Sequence, residues 1–290
     1  MSLDGTVTWR ELWNEAAARV GNRAQARWLC ETASGLESQE LLLELESRAT
    51  QRAVAHLDRM LARLANGEPL QYVLGHWSFR HLDLMVDRRV LIPRPETEEV
   101  AGLAIELAAA PGRPVRCADL GTGSGAIGLA LAAELATRRP PVPAEVWLTD
   151  VDGESLDVAR ANLAGIGRGA ATVRFAAGSW FGALPGDLRG GLDVVVCNPP
   201  YVADDDPQVE AVVRAWEPAG ALFAGEDGLD AIREIVAEAP GWLAPGGWLV
   251  LEIGADQGAA VAALADAAGL ADVEIRPDAA GRDRMLVARS

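Results

Sequence analysis

Cysteine, histidine and tyrosine are scarce in this chain, at three, three and two of 290 residues. Cys30, Cys117 and Cys197 stand far apart and form neither a metal-spaced pair nor a disulfide framework. They are expected to be small buried hydrophobes in a reducing cytosol. Positive charge is short as well. Against 42 acidic residues there are 26 basic ones, a net charge of −16, and no Lys/Arg cluster. That balance argues against a sequence-independent grip on nucleic-acid phosphates and fits a basic protein partner or a cationic ligand better. No stretch reaches the roughly 18 uninterrupted apolar residues of a membrane helix. Met1 to Thr6 lack a basic region leading into an apolar run, so no signal peptide is expected and a cytoplasmic location is. Internal repeats are absent, and so are low-complexity tracts beyond general Ala and Gly richness.

What is present is enough for a sizeable core. Half of the residues are hydrophobic and 23% are charged, and the length implies one large or two unequal domains. The first 67 residues read as helices alone. Thr8 to Glu11 has capping-box spacing, followed by Trp9, Leu12, Trp13, Ala16, Ala17 and Val20 at helical period until Gly21. A second helix is predicted from Asn22 to Ala33, and a third from Ser38 carrying Leu41, Leu42 and Leu45. A fourth starts at Thr50, with Val54, Leu57, Met60, Leu61 and Leu64 inward. Gly75 to Phe79 and Leu82 to Asp87 then read as a hairpin. From Pro93 onward strands and helices alternate. Val115 to Leu120, Val146 to Thr149, Val173 to Ala176, Leu192 to Cys197 and Trp248 to Ile253 are the predicted buried strands, closed by Val273 to Ile275 and Met285 to Ala288. Such alternation predicts an α/β domain with a parallel sheet covered on both faces.

Three motifs carry the chemistry. Asp119-Leu120-Gly121-Thr122-Gly123-Ser124-Gly125 follows a strand and opens the helix Ile127 to Leu135. Its glycines permit a sharp turn and close ligand approach, while the helix start offers free N–H groups. Asp150 ends the next strand, where a carboxylate can accept both hydroxyls of a ribose; Asp152 is the better helix cap there. These two motifs indicate an adenosine-bearing cofactor without choosing one. Asn198-Pro199-Pro200-Tyr201 follows the strand Leu192 to Cys197. Each proline lacks an N–H and presses the residue before it toward extended geometry. The loop therefore presents acceptors. The Asn198 side-chain oxygen and the Pro199 carbonyl can take both hydrogens of a planar –NH2 group, and Tyr201 offers a flat ring beside it.

In combination these motifs resemble the S-adenosylmethionine-dependent, Rossmann-like methyltransferases that act on amino groups. Within that class the chain is most similar to the release factor glutamine methyltransferases. The resemblance spans Gly67-Glu68-Pro69-Leu70-Gln71-Tyr72, Leu91-Ile92-Pro93-Arg94-Pro95-Glu96-Thr97-Glu98, Glu217-Pro218, Asp227-Gly228-Leu229, Pro245-Gly246-Gly247 and Glu252-Ile253-Gly254, besides the motifs above. It implies a helical bundle over residues 1–74 for recognising the substrate protein, a β-hairpin linker over 75–93, and a seven-stranded catalytic domain over 94–290. It also implies S-adenosylmethionine held by Gly121, Thr122, Gly123, Ser124, Gly125, Asp150, Trp180 and Asn198. The catalytic residues would be Asn198, Pro199 and Tyr201, with Pro200, Arg94 and Glu96 also on the substrate side. The substrate would be the glutamine of the Gly-Gly-Gln motif in class I release factors. A monomer with no direct nucleic-acid or membrane contact, and with no metal, is expected. One departure stands out, because Ser179 occupies the place where many relatives carry an acid able to contact adenine.

An amide nitrogen is a poor nucleophile because its lone pair is delocalised into the carbonyl. No histidine lies in these motifs, so no catalytic base is expected, and catalysis rests on positioning and preorganised polarity. The alternative is an adenine-N6 DNA or RNA methyltransferase, whose exocyclic –NH2 asks for the same loop. The acidic charge weighs against it.

Overall fold

The computed structural model describes residues 7–290; the N-terminal segment in which no signal peptide was read lies outside them. The chain divides into two compact units, one ending at His76 and the other running from Trp77 to Ser290.

The first unit is helical. Thr8 and Glu11 exchange capping-box hydrogen bonds at the start of α1 (Trp9–Val20), and Gly21 ends it in the left-handed conformation. Asn22 caps α2 (Arg23–Ser34) by accepting from the Ala24 and Gln25 amides. α3 (Ser38–Leu43) is short, and of its leucines only Leu41 is buried. Thr50 caps α4 (Gln51–Ala65), whose Val54, Leu57, Met60 and Leu61 face inward. Leu64, predicted inward with them, is half-exposed. Another helix, α5 (Leu70–Leu74), follows where the sequence reading placed none. At five residues it is too short to show a period, and a tertiary contact holds it. The Arg63 guanidinium forks onto Glu68 and donates to the carbonyls of Tyr72 and Val73.

The boundary between units falls in β1 (His76–Phe79), which pairs with β2 (Leu82–Met85) as the predicted hairpin. Arg80 at its tip donates to both oxygens of Glu134 and to the Glu98 carbonyl. Beyond it come α6 (Pro95–Ala109), β3 (Val115–Leu120), α7 (Ala126–Thr137), β4 (Ala144–Asp150), α8 (Gly153–Leu163) and β5 (Val173–Ala177). They are followed by β6 (Leu192–Cys197), α9 (Ala211–Trp216), α10 (Asp230–Glu238), β7 (Leu243–Glu252), α11 (Gly258–Ala267), β8 (Ala271–Pro277) and β9 (Asp283–Arg289).

Seven strands form one sheet in the order β5-β4-β3-β6-β7-β9-β8. The first five are parallel, and β9 runs antiparallel to both β7 and β8. Alternate side chains enter opposite layers, as the pleat requires. Cys117, Val146, Val194 and Val250 meet Ile105 and Leu131 on one face. Ala118, Val195, Leu249 and Leu251 meet Ile232, Ile235 and Val261 on the other. Every residue of β6 is buried, which is why it reads as a near-continuous apolar run.

The chain builds outward from β3 through β4 to β5, then crosses back to lay β6 on the other side of β3. The strand order therefore reverses between β3 and β6, and ligands of open α/β sheets bind beyond the carboxyl ends at such a point. The register pairs Leu120 with Cys197, so the glycine loop and Asn-Pro-Pro-Tyr leave the sheet side by side.

Candidate active site

β3 delivers Asp119 to the floor of the site. One of its oxygens accepts from the Thr122 hydroxyl at 2.6 Å and from the Gly128 amide at 2.8 Å. The other is buried with no protein partner. Burial pushes this carboxyl up to about 7, against the pull of those two hydrogen bonds. Above it the loop turns through Gly121 at φ +66°, where a Cβ would lie 3.1 Å from the Trp180 ring. Glycine is what lets that ring close over the loop. Asp150 accepts from the Gly123 amide at 2.9 Å and from the Asp152 amide at 3.0 Å, and burial raises its pKa. Asp152 caps α8 through Glu154, as its position predicted.

These groups enclose a cavity of about 310 Å³, lined by Gly121, Thr122, Gly123, Ser124, Asp150 and Trp180 among others. Gly125 lies behind it at the start of α7 and is not part of the lining. Trp180 is held by its indole N–H, which donates to Glu234 at 2.9 Å. Ser179 lines the cavity beside it and is exposed. Asn162 braces the loop from α8, donating to the carbonyls of Ser124 and Met85 and accepting from the Met85 amide.

A second cavity of about 360 Å³ adjoins the first, and Asn198 lines both. Tyr201 and Arg94 line the second, and Pro200 lines the first. Pro199 is buried, and neither it nor Glu96 lines either cavity. Arg94 is engaged by Glu217 at 2.6 Å, and the other oxygen of that buried carboxylate accepts from the Ile92 amide at 3.2 Å. The Asn-Pro-Pro-Tyr loop is pinned from outside by Gln257, whose side-chain amide donates to the Tyr201 carbonyl at 2.9 Å. Gly228, at φ +71°, packs so close that a Cβ would lie 2.4 Å from that same carbonyl oxygen.

Behind the loop sits Glu252, fully buried at the end of β7. It accepts from the Thr97 hydroxyl at 2.6 Å and from the Tyr201 hydroxyl at 3.1 Å. Thr97 in turn accepts from the Asn198 side-chain amide at 3.3 Å. Burial pushes the Glu252 carboxyl up to about 7, and burial likewise raises the Tyr201 phenol. Sequence reasoning gave Thr97, Glu252, Gln257 and Asn162 no role. The available signal was a charged residue closing the apolar run Trp248 to Leu251.

Residues 14–75 match the family described as the PrmC N-terminal domain, and residues 103–224 match the methyltransferase small domain. The release factor glutamine methyltransferase of Xylella fastidiosa (strain Temecula1) is 44% identical, with 82% of each chain covered. That of Moorella thermoacetica is 40% identical over 97% of this chain and 98% of its own. The chain belongs to the release factor glutamine methyltransferase family. Among solved structures, the hMettl16 catalytic domain in complex with an RNA hairpin superposes with a TM-score of 0.53 at 16% identity. It covers 82% of this chain and 80% of that one, and the likeness is one of fold.

Family membership makes S-adenosylmethionine the cofactor, and the first cavity suits it. A buried acceptor without a partner at Asp119 and a second carboxylate at Asp150 favour a ligand that brings donors and positive charge. The Trp180 ring supplies a flat apolar wall.

Proposed function

We infer that this chain methylates the side-chain amide nitrogen of the Gly-Gly-Gln glutamine in class I release factors. The observation that carries the reading is the place of Asn198. Its side chain stands where two cavities meet, one suited to the cofactor, with its amide nitrogen turned away to Thr97 and its oxygen without a protein partner among the described residues.

When bound, S-adenosylmethionine supplies a methyl group on a positively charged sulfonium, an electrophile that needs only a positioned nucleophile. Gly121 to Ser124 and Asp150 hold the cofactor, and Trp180 packs beside its base. Asn198 accepts one amide hydrogen of the substrate glutamine, and the Pro199 carbonyl, whose residue lines neither cavity, is proposed for the other. That orients its nitrogen and raises electron density on it, so proximity and fixed dipoles supply the rate. Tyr201 presents its ring to the same group while its hydroxyl is anchored on Glu252. The proton leaves after transfer, and no side chain is required to remove it beforehand. Arg94, braced by Glu217, borders the second cavity, where the backbone of the substrate segment enters. Both cavities are lined by residues of the second unit, and the enzyme is proposed to act as a monomer. The N-terminal helices are assigned to recognition of the substrate protein.

The test is methyl transfer from labelled S-adenosylmethionine to purified release factor. Run beside it are the same factor with its Gly-Gly-Gln glutamine replaced, and an oligonucleotide. Label in the intact factor alone is expected. Label in the oligonucleotide would put the adenine reading in its place.

A further inference from the structure

We propose that Glu252 and Thr97 form a relay that fixes which way round the Asn198 carboxamide sits, so that its oxygen faces the substrate amide. The proposal deepens the reading above and rests on Asn198 being the amide-binding residue.

A threonine hydroxyl carries one hydrogen. Thr97 commits it to Glu252 at 2.6 Å, the short distance of a hydrogen bond onto a charged acceptor. Left with lone pairs only, the Thr97 oxygen can do nothing but accept from the next group. Asn198 meets it with its –NH2 end at 3.3 Å. The opposite rotamer would set the carboxamide oxygen against those lone pairs, with no hydrogen between the two oxygens. The polarity thus passes from carboxylate to hydroxyl to carboxamide, and it ends with an acceptor at the junction of the cavities.

The carboxylate is suited to this because it accepts on both oxygens and donates on neither. Its second oxygen takes the Tyr201 hydroxyl at 3.1 Å, so one buried group aligns the first and last residues of the Asn-Pro-Pro-Tyr loop. Three elements bring the members together. The parallel register pairs Cys197 with Leu251, so Asn198 and Glu252 are the next residues at the same end of β6 and β7. Thr97 enters from the first turn of α6 and is 3% exposed, while Glu252 is 0% exposed, so water does not compete for either.

The relay has a pH dependence. Burial raises the Glu252 carboxyl to about 7, opposed by the Thr97 and Tyr201 hydrogen bonds and the Arg284 charge from β9, and reinforced by Glu96 on α6. The Cys197 thiol on β6 also feels this carboxylate and is itself raised well above its ordinary value by burial. Once protonated, Glu252 can donate. Thr97 is then free to turn its own hydrogen toward Asn198, and the signal that orients the carboxamide is lost.

Three variants test it, read as kcat and KM on release factor beside cofactor affinity by calorimetry. Thr97→Val keeps the shape and removes the acceptor; it should lower kcat by about 100-fold with cofactor affinity within about twofold. Thr97→Ser restores the hydroxyl and should recover kcat to within about threefold of the parent. Glu252→Gln presents one accepting and one donating end, as the protonated acid does, so it should fold and turn over at the parent's low-pH level. Its kcat should lack the fall below pH 7 that the parent shows. Parent-like kcat in Thr97→Val, equal losses in the Ser and Val variants, or an unchanged pH profile in Glu252→Gln would each overturn the relay. Failure of the parent itself to methylate release factor would instead sink the functional reading on which the relay rests.

Discussion

Gly228 carries no side chain, yet its substitution should damage the site directly. Alanine there would hold φ at +71°, which costs about 1–2 kcal/mol, and would drive its methyl into the Tyr201 carbonyl. Gly228→Ala is therefore expected to lower both melting temperature and kcat, measured by thermal unfolding and methyl transfer. Asp150 gives a cleaner separation. Asp150→Ala removes the acceptor for the Gly123 and Asp152 amides and leaves the Asn-Pro-Pro-Tyr loop untouched. Calorimetry should show cofactor affinity weakened by about tenfold or more, the loss of one to two charge-assisted hydrogen bonds, with kcat at saturating cofactor little changed. At this scale the sequence was most informative where function follows from neighbours along the chain, as in the glycine loop, Asp150 and Asn198-Pro199-Pro200-Tyr201. Thr97, Glu252 and Gln257 escaped because their roles exist only through partners far away. Thr97 and Glu252 are separated by 155 residues, and Thr97 and Asn198 by 101.

Among the elements, β3 and β6 matter most, because strand order reverses between them and both chemical loops leave from their carboxyl ends. β6 and the end of β7 were legible as buried apolar runs, β5 as a short β-prone segment of which only Val173 is buried, and the terminal pair β8 and β9 because a polar turn interrupts it. Sheet order was not legible, since apolar runs do not say which neighbour they take. The short helices α5 and α9 were missed for want of a period. In the first unit α3 leaves Leu42 and Leu43 at 48% and 86% exposure. If this unit recognises the substrate, as proposed, Leu43→Asp should raise KM for release factor while leaving cofactor affinity and thermal stability unchanged. Steady-state kinetics at saturating cofactor will check this, and an unaltered KM would remove α3 from the recognition surface.

Taken whole, the molecule is acidic, and all 26 of its basic side chains are arginine. Several of these stack on aromatic rings, among them Arg23 on Trp13, Arg189 on Trp242 and Arg289 on Trp248, which gives three of the nine tryptophans a structural role. Two buried carboxyls are strongly raised, and Asp150 shifts in the same direction. Asp119 and Glu252 are both raised to about 7 from ordinary values of 3.8 and 4.5, so each binds its proton more tightly folded than unfolded. Their contribution to stability is complete below about pH 4 and is lost as pH rises through 7. Melting temperature should accordingly fall between pH 5.5 and pH 8, and less steeply in Glu252→Gln. Cofactor binding should run the other way. A cationic ligand favours ionised Asp119, so affinity measured by calorimetry should increase from pH 6 to pH 8, with proton release on binding at the lower end.

The account turns on one side chain supplying an acceptor rather than a base. Asn198→Ala, assayed under single-turnover conditions with release factor and saturating S-adenosylmethionine, tests that most directly. Methyl transfer should fall by at least about 100-fold while calorimetry still shows the cofactor bound. Near-parental transfer in this variant would contradict the account, because the amide would then be oriented and activated without Asn198.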